Sequence, residues 1–238
     1  MKHTKRLIGL DLDGTLTQHR SPLSPEARAL LDELGSRYKI VMVGAGNAPR
    51  IYHQMEEYPI DIIANYGMQE SRMIDGIFTI IRDDKVIPDK EFFMRECSRL
   101  REKYGYTSYV GYPLEFHESG MVTFPLLGTK AAIEDKLAFD SDRRKRHVLY
   151  PEVIEVFKDY SVFVGGSSSF DITPAQYNKY DAMVRYGCEN DYSVEEMLYI
   201  GDDFGEGGGD SHIRLGGMDY IQIEDYRQAP SQLQFLLD

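Results

Sequence analysis

Two aspartates separated by one residue, Asp11 and Asp13, stand directly after the apolar run Leu7-Ile8-Gly9-Leu10 and before Gly14-Thr15-Leu16-Thr17. Side chains two apart on an extended segment point the same way. The pair is therefore expected to converge at the carboxyl end of a buried strand, where open α/β sheets bind their ligands. Gly14 permits a sharp turn out of that strand. Like charges in one cleft oppose each other's ionisation, so one carboxylate calls for a metal ion and the other tends to keep its proton. That division supplies a nucleophile and a general acid/base. Solvated turn aspartates are the plainer reading, and the buried strand ahead of the pair weighs against it. An EF-hand loop begun at Asp11 needs Gly at its sixth position and Glu at its twelfth; Leu16 and Pro22 stand there.

The elements that must position this pair alternate strand with helix. Ser24-Pro25-Glu26 has the form of an N-cap with proline at the first helical position, and Ala27, Leu30, Leu31 and Leu34 repeat at helical spacing up to Gly35. Ile40-Val41-Met42-Val43 and Ile62-Ile63-Ala64 are buried-strand runs, with a helix expected after Pro49 between them. This order predicts a doubly wound parallel sheet. Near residue 68 the texture changes. Asp75-Gly76 marks a hairpin between Ser71–Ile74 and Ile77–Ile81, Asp83-Asp84-Lys85 reads as a polar linker, and a helix is expected over Glu91–Lys103. The first texture returns with a helix over Tyr180–Tyr186 and strands at Met197–Ile200 and Tyr220–Ile223. The expected architecture is an α/β core from residues 1–83 and 179–238, carrying an inserted α+β domain over 84–178.

Composition narrows the partners. The 238 residues are 42% hydrophobic and 12% aromatic, enough for a packed core. Lys plus Arg number 27 against 39 Asp plus Glu, and the net charge of −12 repels nucleic-acid phosphates and anionic membranes. An anionic substrate then requires a metal or a few focused cations. The basic opening before Leu7 meets only four apolar-run residues ahead of Asp11, too short for a signal segment, so a cytoplasmic location is expected. The two cysteines make no disulfide framework, and no Cys/His spacing suits zinc.

The run Asp11-Leu12-Asp13-Gly14-Thr15-Leu16-Thr17 resembles the first motif of the haloacid dehalogenase (HAD) superfamily of phosphotransferases. The resemblance implies that Asp11 attacks phosphorus to form an aspartyl-phosphate and that Asp13 protonates the leaving oxygen. It also implies the partners that follow in order. Gly201-Asp202-Asp203 and Gly209-Asp210 resemble the acidic metal motif, with Asp202 completing a Mg²⁺ site with the Asp11 carboxylate and the Asp13 carbonyl. Asp210 would bind the ion or orient a metal-bound water. Alone, Gly205-Glu206-Gly207-Gly208-Gly209-Asp210 reads as a flexible acidic loop. Lys179 matches the lysine that balances phosphate and nucleophile charge. Where the family carries Ser or Thr after the second strand, this chain has Gly44-Ala45-Gly46-Asn47. There the backbone N–H groups of Gly44 and Ala45 and the Asn47 amide are expected to cradle phosphate. A dinucleotide fingerprint at Gly44-x-Gly46 fails because Pro49 replaces the third glycine, and there is no P-loop.

The inserted segment resembles the cap of the superfamily's C2 (type IIB) sugar-phosphate branch, and the similarity runs closest to eukaryotic-type phosphomannomutases. It is carried by Ile63-Ala64-Asn65-Tyr66-Gly67, Ser119-Gly120-Met121 and Gly165-Gly166-Ser167-Ser168-Ser169-Phe170-Asp171. Ser169 and Asp171 are the implied substrate contacts. Where the family places arginines for a second phosphate, this chain has Glu118 and Thr129, with Lys130 as the adjacent cation. That departure favours hydrolysis of a sugar monophosphate or similar metabolite over the mutase reaction. A phosphomannomutase is the alternative enzyme, and a non-catalytic sugar-phosphate-binding protein the alternative of another class. The resemblance also suggests a homodimer through the cap. Arg143-Arg144-Lys145-Arg146-His147 reads as a solvated face. His117 and His212 read as surface or satisfied histidines, with His117 singled out by its neighbour Glu118.

Overall fold

The computed structural model describes residues 5–237; residues 1–4 of the basic opening and residue 238 lie outside the described residues. In chain order the strands and helices are β1 (Leu7–Leu10), α1 (Pro25–Gly35), β2 (Lys39–Val43), α2 (Ala48–Gln54), β3 (Asp61–Ala64), β4 (Gln69–Ile74) and β5 (Ile77–Asp83). There follow α3 (Lys90–Tyr104), β6 (Glu115–Phe116), β7 (Val122–Pro125), α4 (Ile133–Phe139), α5 (Arg144–Val156), β8 (Tyr160–Phe163) and β9 (Ser169–Pro174). The chain closes with α6 (Lys179–Glu189), β10 (Met197–Gly201), α7 (Ser211–Leu215), β11 (Tyr220–Gln222) and α8 (Ala229–Leu233). These elements divide into two compact units. One comprises the described residues up to Asp84 with Asn178–Glu206 and those from Asp210 onward; the other comprises Lys85–Tyr177 and Gly207–Gly209.

The first unit is built on a seven-stranded sheet in the order β11-β10-β1-β2-β3-β4-β5, parallel from β11 to β3 and antiparallel beyond. The parallel strands β10, β1, β2 and β3 are buried on both faces apart from Lys39 at the start of β2, as continuous apolar runs require, while the edge strand β11 is largely exposed. Along β1 and β2, Ile8, Leu10, Ile40 and Met42 enter one core with α1 residues Leu30, Leu31 and Leu34. Leu7, Val41 and Val43 enter another with Ala182, Met183 and Tyr186 of α6. The Ser24 hydroxyl caps α1 by accepting from the Ala27 N–H, so the capping signal in the sequence is realised. Asp75-Gly76 forms the β4–β5 turn with positive φ at both residues. Asp83, expected in a polar linker, is instead the last residue of β5 and accepts from the Gln69 side chain at 3.0 Å.

The second unit is a four-stranded antiparallel sheet, β6-β7-β9-β8, packed on helices whose core side chains include Phe93, Leu100, Leu149, Val153 and Phe157. Phe93 and Phe157 stack with ring centroids 5.0 Å apart. The basic run at the start of α5 requires a correction. Arg144 is solvated, but Arg146 is 1% exposed and donates from Nε to Asp140 at 2.7 Å and from Nη1 to the carbonyls of Gly165 and Gly166. Five donors in a planar fork let one arginine close several open carbonyl groups at once, which a solvated-face pattern in the sequence does not reveal. Arg101 plays the same part, donating to the carbonyls of Tyr106, Pro113, Pro125 and Leu126.

Removing one partner of a buried ion pair strands the other. Arg146→Met is therefore expected to lower unfolding stability by about 3–5 kcal/mol, and Arg144→Met by no more than about 0.5 kcal/mol. Urea unfolding of the two variants checks this, and equal losses would contradict the buried-strut assignment.

Candidate active site

The site grows from the carboxyl ends of β1 and β10, neighbours in the sheet. Beyond the end of β1 the Asp11 N–H still donates to the Ile200 carbonyl at 2.9 Å, which fixes where its side chain starts. Its carboxylate accepts from Lys179 Nζ at 2.8 Å. Lys179 opens α6, whose N-cap Asn178 accepts from the Asp181 N–H at 2.9 Å. The same ammonium donates to Asp210 at 2.7 Å. Asp210 accepts further from the Tyr199 hydroxyl at 2.8 Å and from the Asp203 N–H at 3.0 Å. Asp202 accepts from the Thr15 hydroxyl at 3.0 Å. A Cβ at Gly14, whose φ is +97°, would sit 2.6 Å from an Asp202 oxygen, so the turn glycine also admits this carboxylate.

One oxygen each from Asp11, Asp202 and Asp210 lies within 4.8 Å of the others. Lys179 pairs with two of these three carboxylates, Asp11 and Asp210, so ionisation of all three leaves two negative charges in excess. Burial pushes the Asp11 carboxyl well above the usual carboxylate range; Lys179 opposes this, and Asp210 and Asp202 add to it. Burial and the charges of Asp210 and Asp203 push Asp202 up to about 6. Burial works against the Lys179 charge, but Asp11 and Asp210 outweigh it and hold the group protonated. An oxygen-only donor set with excess negative charge fits a hard divalent cation such as Mg²⁺. A cavity of about 580 Å³, lined by Gly14, Asp202 and the segment from Gln222 to Arg227, reaches Asp202 from outside.

Asp13 departs from the sequence expectation. Its carboxylate does not join the three acids; it accepts from the Gln54 amide at 2.7 Å and the Arg20 N–H at 2.6 Å, with the Arg50 guanidinium at 3.4 Å. The strand ends at Leu10, and the Leu12 carbonyl then accepts from the N–H groups of Thr15, Leu16 and Thr17. In that tight turn the two-residue alternation no longer applies. The expected ionisation is reversed as well. Burial works to raise the Asp13 carboxyl, but the bonds from Gln54 and Arg20 and the charges of His19 and Arg50 hold it below its ordinary value.

The loop after β2 is also partly committed. The Gly44 N–H donates to the Ile63 carbonyl at 2.8 Å, so the amide expected at phosphate belongs to the sheet, and the expectation passes to Ala45. The Asn47 side-chain oxygen caps α2 by accepting from the Arg50 N–H. A Cβ at Gly44 would lie 2.7 Å from Ile51 Cδ1, which gives a packing reason for glycine here.

In the second unit, Ser169 and Asp171 sit two apart on β9, on one face of the sheet. The Ser169 hydroxyl donates to the Gly165 carbonyl at 3.1 Å, and Asp171 accepts from the Thr123 hydroxyl at 3.0 Å. Lys130 lies off that strand, 5.8 Å above the Tyr112 ring. Glu118 pairs with Lys85 at 2.5 Å. Tyr199, Thr15, Gln54 and Arg50 were not singled out in the sequence. Tyr199 leaves the one usable signal, a hydroxyl within the otherwise apolar strand Met197–Ile200.

No protein-family model matches the chain. Its sequence is 28% identical over 224 residues to a phosphomannomutase of Saccharomyces cerevisiae, covering 87% of this chain and 84% of that one. It is 24% identical over 228 residues to a probable phosphomannomutase of Caenorhabditis elegans, covering 88% and 86%. Its fold matches a phosphatase of the HAD superfamily from Bacteroides thetaiotaomicron with a TM-score of 0.62 at 15% identity, covering 98% and 96%. The chain thus has the α/β fold of that HAD-superfamily phosphatase. In sequence it is similar to phosphomannomutases.

Asp11 and Asp202 hold protons more tightly folded than unfolded, so the metal-free fold loses stability as pH rises through their range. A divalent cation offsets that loss and competes with protons below it. Mg²⁺ at a hundred times its dissociation constant is expected to stabilise the protein by about 2–3 kcal/mol near pH 7.5 and by much less near pH 5. Thermal unfolding with MgCl₂ and with chelator checks this. Equal shifts at both pH values contradict the carboxylate site.

Proposed function

We propose that the chain is a Mg²⁺-dependent phosphatase acting on a phosphorylated sugar or similar small metabolite. The observation that carries this reading is the buried constellation of Asp11, Lys179, Asp210 and Asp202 at the ends of two adjacent parallel strands. Asp11 is the nucleophile: its carboxylate oxygen bonds to phosphorus as the ester oxygen leaves, giving an aspartyl-phosphate. Released from its bonds with Gln54, Arg20 and Arg50, Asp13 first takes up a proton from solvent, gives it to the leaving oxygen, and as the regenerated carboxylate takes a proton from the water that cleaves the acyl-phosphate. Both steps require Asp13 to exchange its bonds with Gln54 and Arg50 for the reacting oxygen. Lys179 offsets charge on the phosphoryl oxygens and keeps Asp11 oriented. Asp210, whose oxygens already carry three donors, positions Lys179, while Asp11, Asp202 and the Asp13 carbonyl would hold the ion. A bound Mg²⁺ supplies neutralisation of the phosphate charge. Ala45 and the loop before α2 would border the phosphate, and Ser169 and Asp171 are the candidate sugar contacts within the inserted unit.

The mutase reading is favoured by the names of the relatives and opposed by the inserted unit's cations. A second phosphate calls for arginine forks or point cations. Arg101 and Arg146 are spent on backbone carbonyls, Lys85 on Glu118, and Lys130 lies over Tyr112.

With Mg²⁺ present, phosphate release from a panel of hexose phosphates is expected, and Asp11→Asn is expected to abolish it by roughly a thousandfold or more while substrate still binds. Retained turnover in that variant removes Asp11 as nucleophile. With a hexose 1,6-bisphosphate added as primer, isomerisation of hexose 1-phosphate outpacing phosphate release would replace this reading with the mutase.

A further inference from the structure

The loop between β2 and α2, Gly44-Ala45-Gly46-Asn47, carries no hydroxyl, and a guanidinium fills the space that a side chain at Gly46 would take. Arg50 folds back from the first turn of α2, and a Cβ at Gly46 would overlap its Nη2, Nε and Cζ together. Overlap with both nitrogens sets the Nε–Nη2 edge, the fork that grips oxyanions with two parallel bonds, against the bare Cα of the glycine. The other contacts of this guanidinium are uneven. Nη1 and Nη2 each lie 3.4 Å from Asp13 Oδ2, beyond the usual hydrogen-bond range, whereas Nη1 reaches Gln54 Oε1 on the same helix at 2.7 Å. Among the described residues nothing accepts from Nε. The loop beneath is open in the same sense. The Gly44 N–H goes to the Ile63 carbonyl and the Ala48 N–H to the Gln69 side chain, but among the described residues none accepts from the N–H groups of Ala45, Gly46 or Asn47. The β1–β2 register, Leu10 opposite Met42, sets the end of β2 beside Asp11.

We propose that Arg50 is the phosphate anchor of this chain. When a phosphate ester binds, the Nε–Nη2 edge leaves Gly46 and Asp13 and takes two phosphoryl oxygens, with Gln54 holding Nη1 as the pivot. This rests on the phosphatase reading above and adds to it the side chain that recognises the phosphoryl group. A dianionic phosphate offers the fork two short charge-assisted bonds in place of two long ones to a single carboxylate oxygen. Glycine at position 46 is then required by the guanidinium, because any side chain there would push the fork aside. The same movement removes one of the groups that hold Asp13. An anchor of this kind grips the phosphoryl group alone and acts alike on every ester, whatever alcohol it carries.

The test reads binding of inorganic phosphate by calorimetry in the presence of Mg²⁺, and turnover of glucose 6-phosphate against p-nitrophenyl phosphate. Arg50→Met is expected to weaken phosphate binding about thirtyfold and to lower kcat/KM for both esters by the same factor. Nitrophenolate leaves without a proton and a sugar alkoxide does not, so a loss confined to glucose 6-phosphate would make Arg50 a clamp on Asp13 only and overturn the proposal. Arg50→Lys recovers binding in part, since a point charge cannot span two oxygens. Gly46→Ser in the parent displaces the fork and weakens phosphate binding. In the Arg50→Met background the same hydroxyl enters the vacated space and strengthens binding severalfold, a change of sign that double-variant analysis isolates. Absence of that reversal, or parent-like phosphate binding in Arg50→Met, overturns the proposal. A parent protein that binds no phosphate overturns it too. One that binds phosphate but hydrolyses no ester removes the catalytic reading, and the thirtyfold loss and the reversal in binding then decide the anchor.

Discussion

A lysine ammonium with almost no access to water sits between two carboxylates, and the rest of the molecule is organised around that sharing. Lys179 Nζ donates to Asp11 and Asp210 at 2.8 and 2.7 Å, contacts between residues 168 and 31 positions apart in sequence. Removing one member of such a buried group costs about 3–5 kcal/mol, because the charges left behind have neither water nor a partner. The parallel pairing of β1 with β10 brings the two halves of the cluster together, and the capped start of α6 delivers the lysine to it. Tyr199 and the Asp203 N–H take up remaining lone pairs of Asp210, so the lysine's second partner is itself held.

The same arrangement leaves a residual negative charge that the protein does not cancel. Asp202, tied by Thr15 and admitted by the absent side chain of Gly14, adds a third acid to a group already served by one cation. Such an excess is unfavourable in a buried site unless a cation or protons compensate it, and the raised titration of Asp11 and Asp202 expresses that tension. Folding stability and protonation are therefore linked through one set of oxygens, and under the proposed function metal affinity and reactivity would be linked through it too. Asp13 stands apart from this tension, ionised and clamped by Gln54 and Arg50, so the acid/base role proposed for it requires motion.

Much of this was legible in the residues because it depended on local pattern. The apolar strands, the Ser24 cap and the acids placed after strands follow from alternation, capping and the geometry of sheet ends. The direction of Asp13 was not legible, since it turns on the strand ending at Leu10, before the pair begins. Nor was the commitment of the Gly44 amide to Ile63, which depends on how far the β2–β3 ladder runs. Arg146 defeated the pattern for a different reason: a charged residue in a basic run looks solvated until the carbonyls it must close are known. In each case the missing information was long-range, a partner distant in sequence outweighing a local rule.

The central claim is that Asp11 and Asp202 together hold a divalent cation beside Lys179. Anomalous scattering from a crystal grown with Mn²⁺ in place of Mg²⁺ tests it most directly. The account predicts one strong peak ligated by carboxylate oxygens of both Asp11 and Asp202, with Lys179 still bonded to Asp210. A peak elsewhere, or none while the acids remain gathered around the lysine, would contradict it.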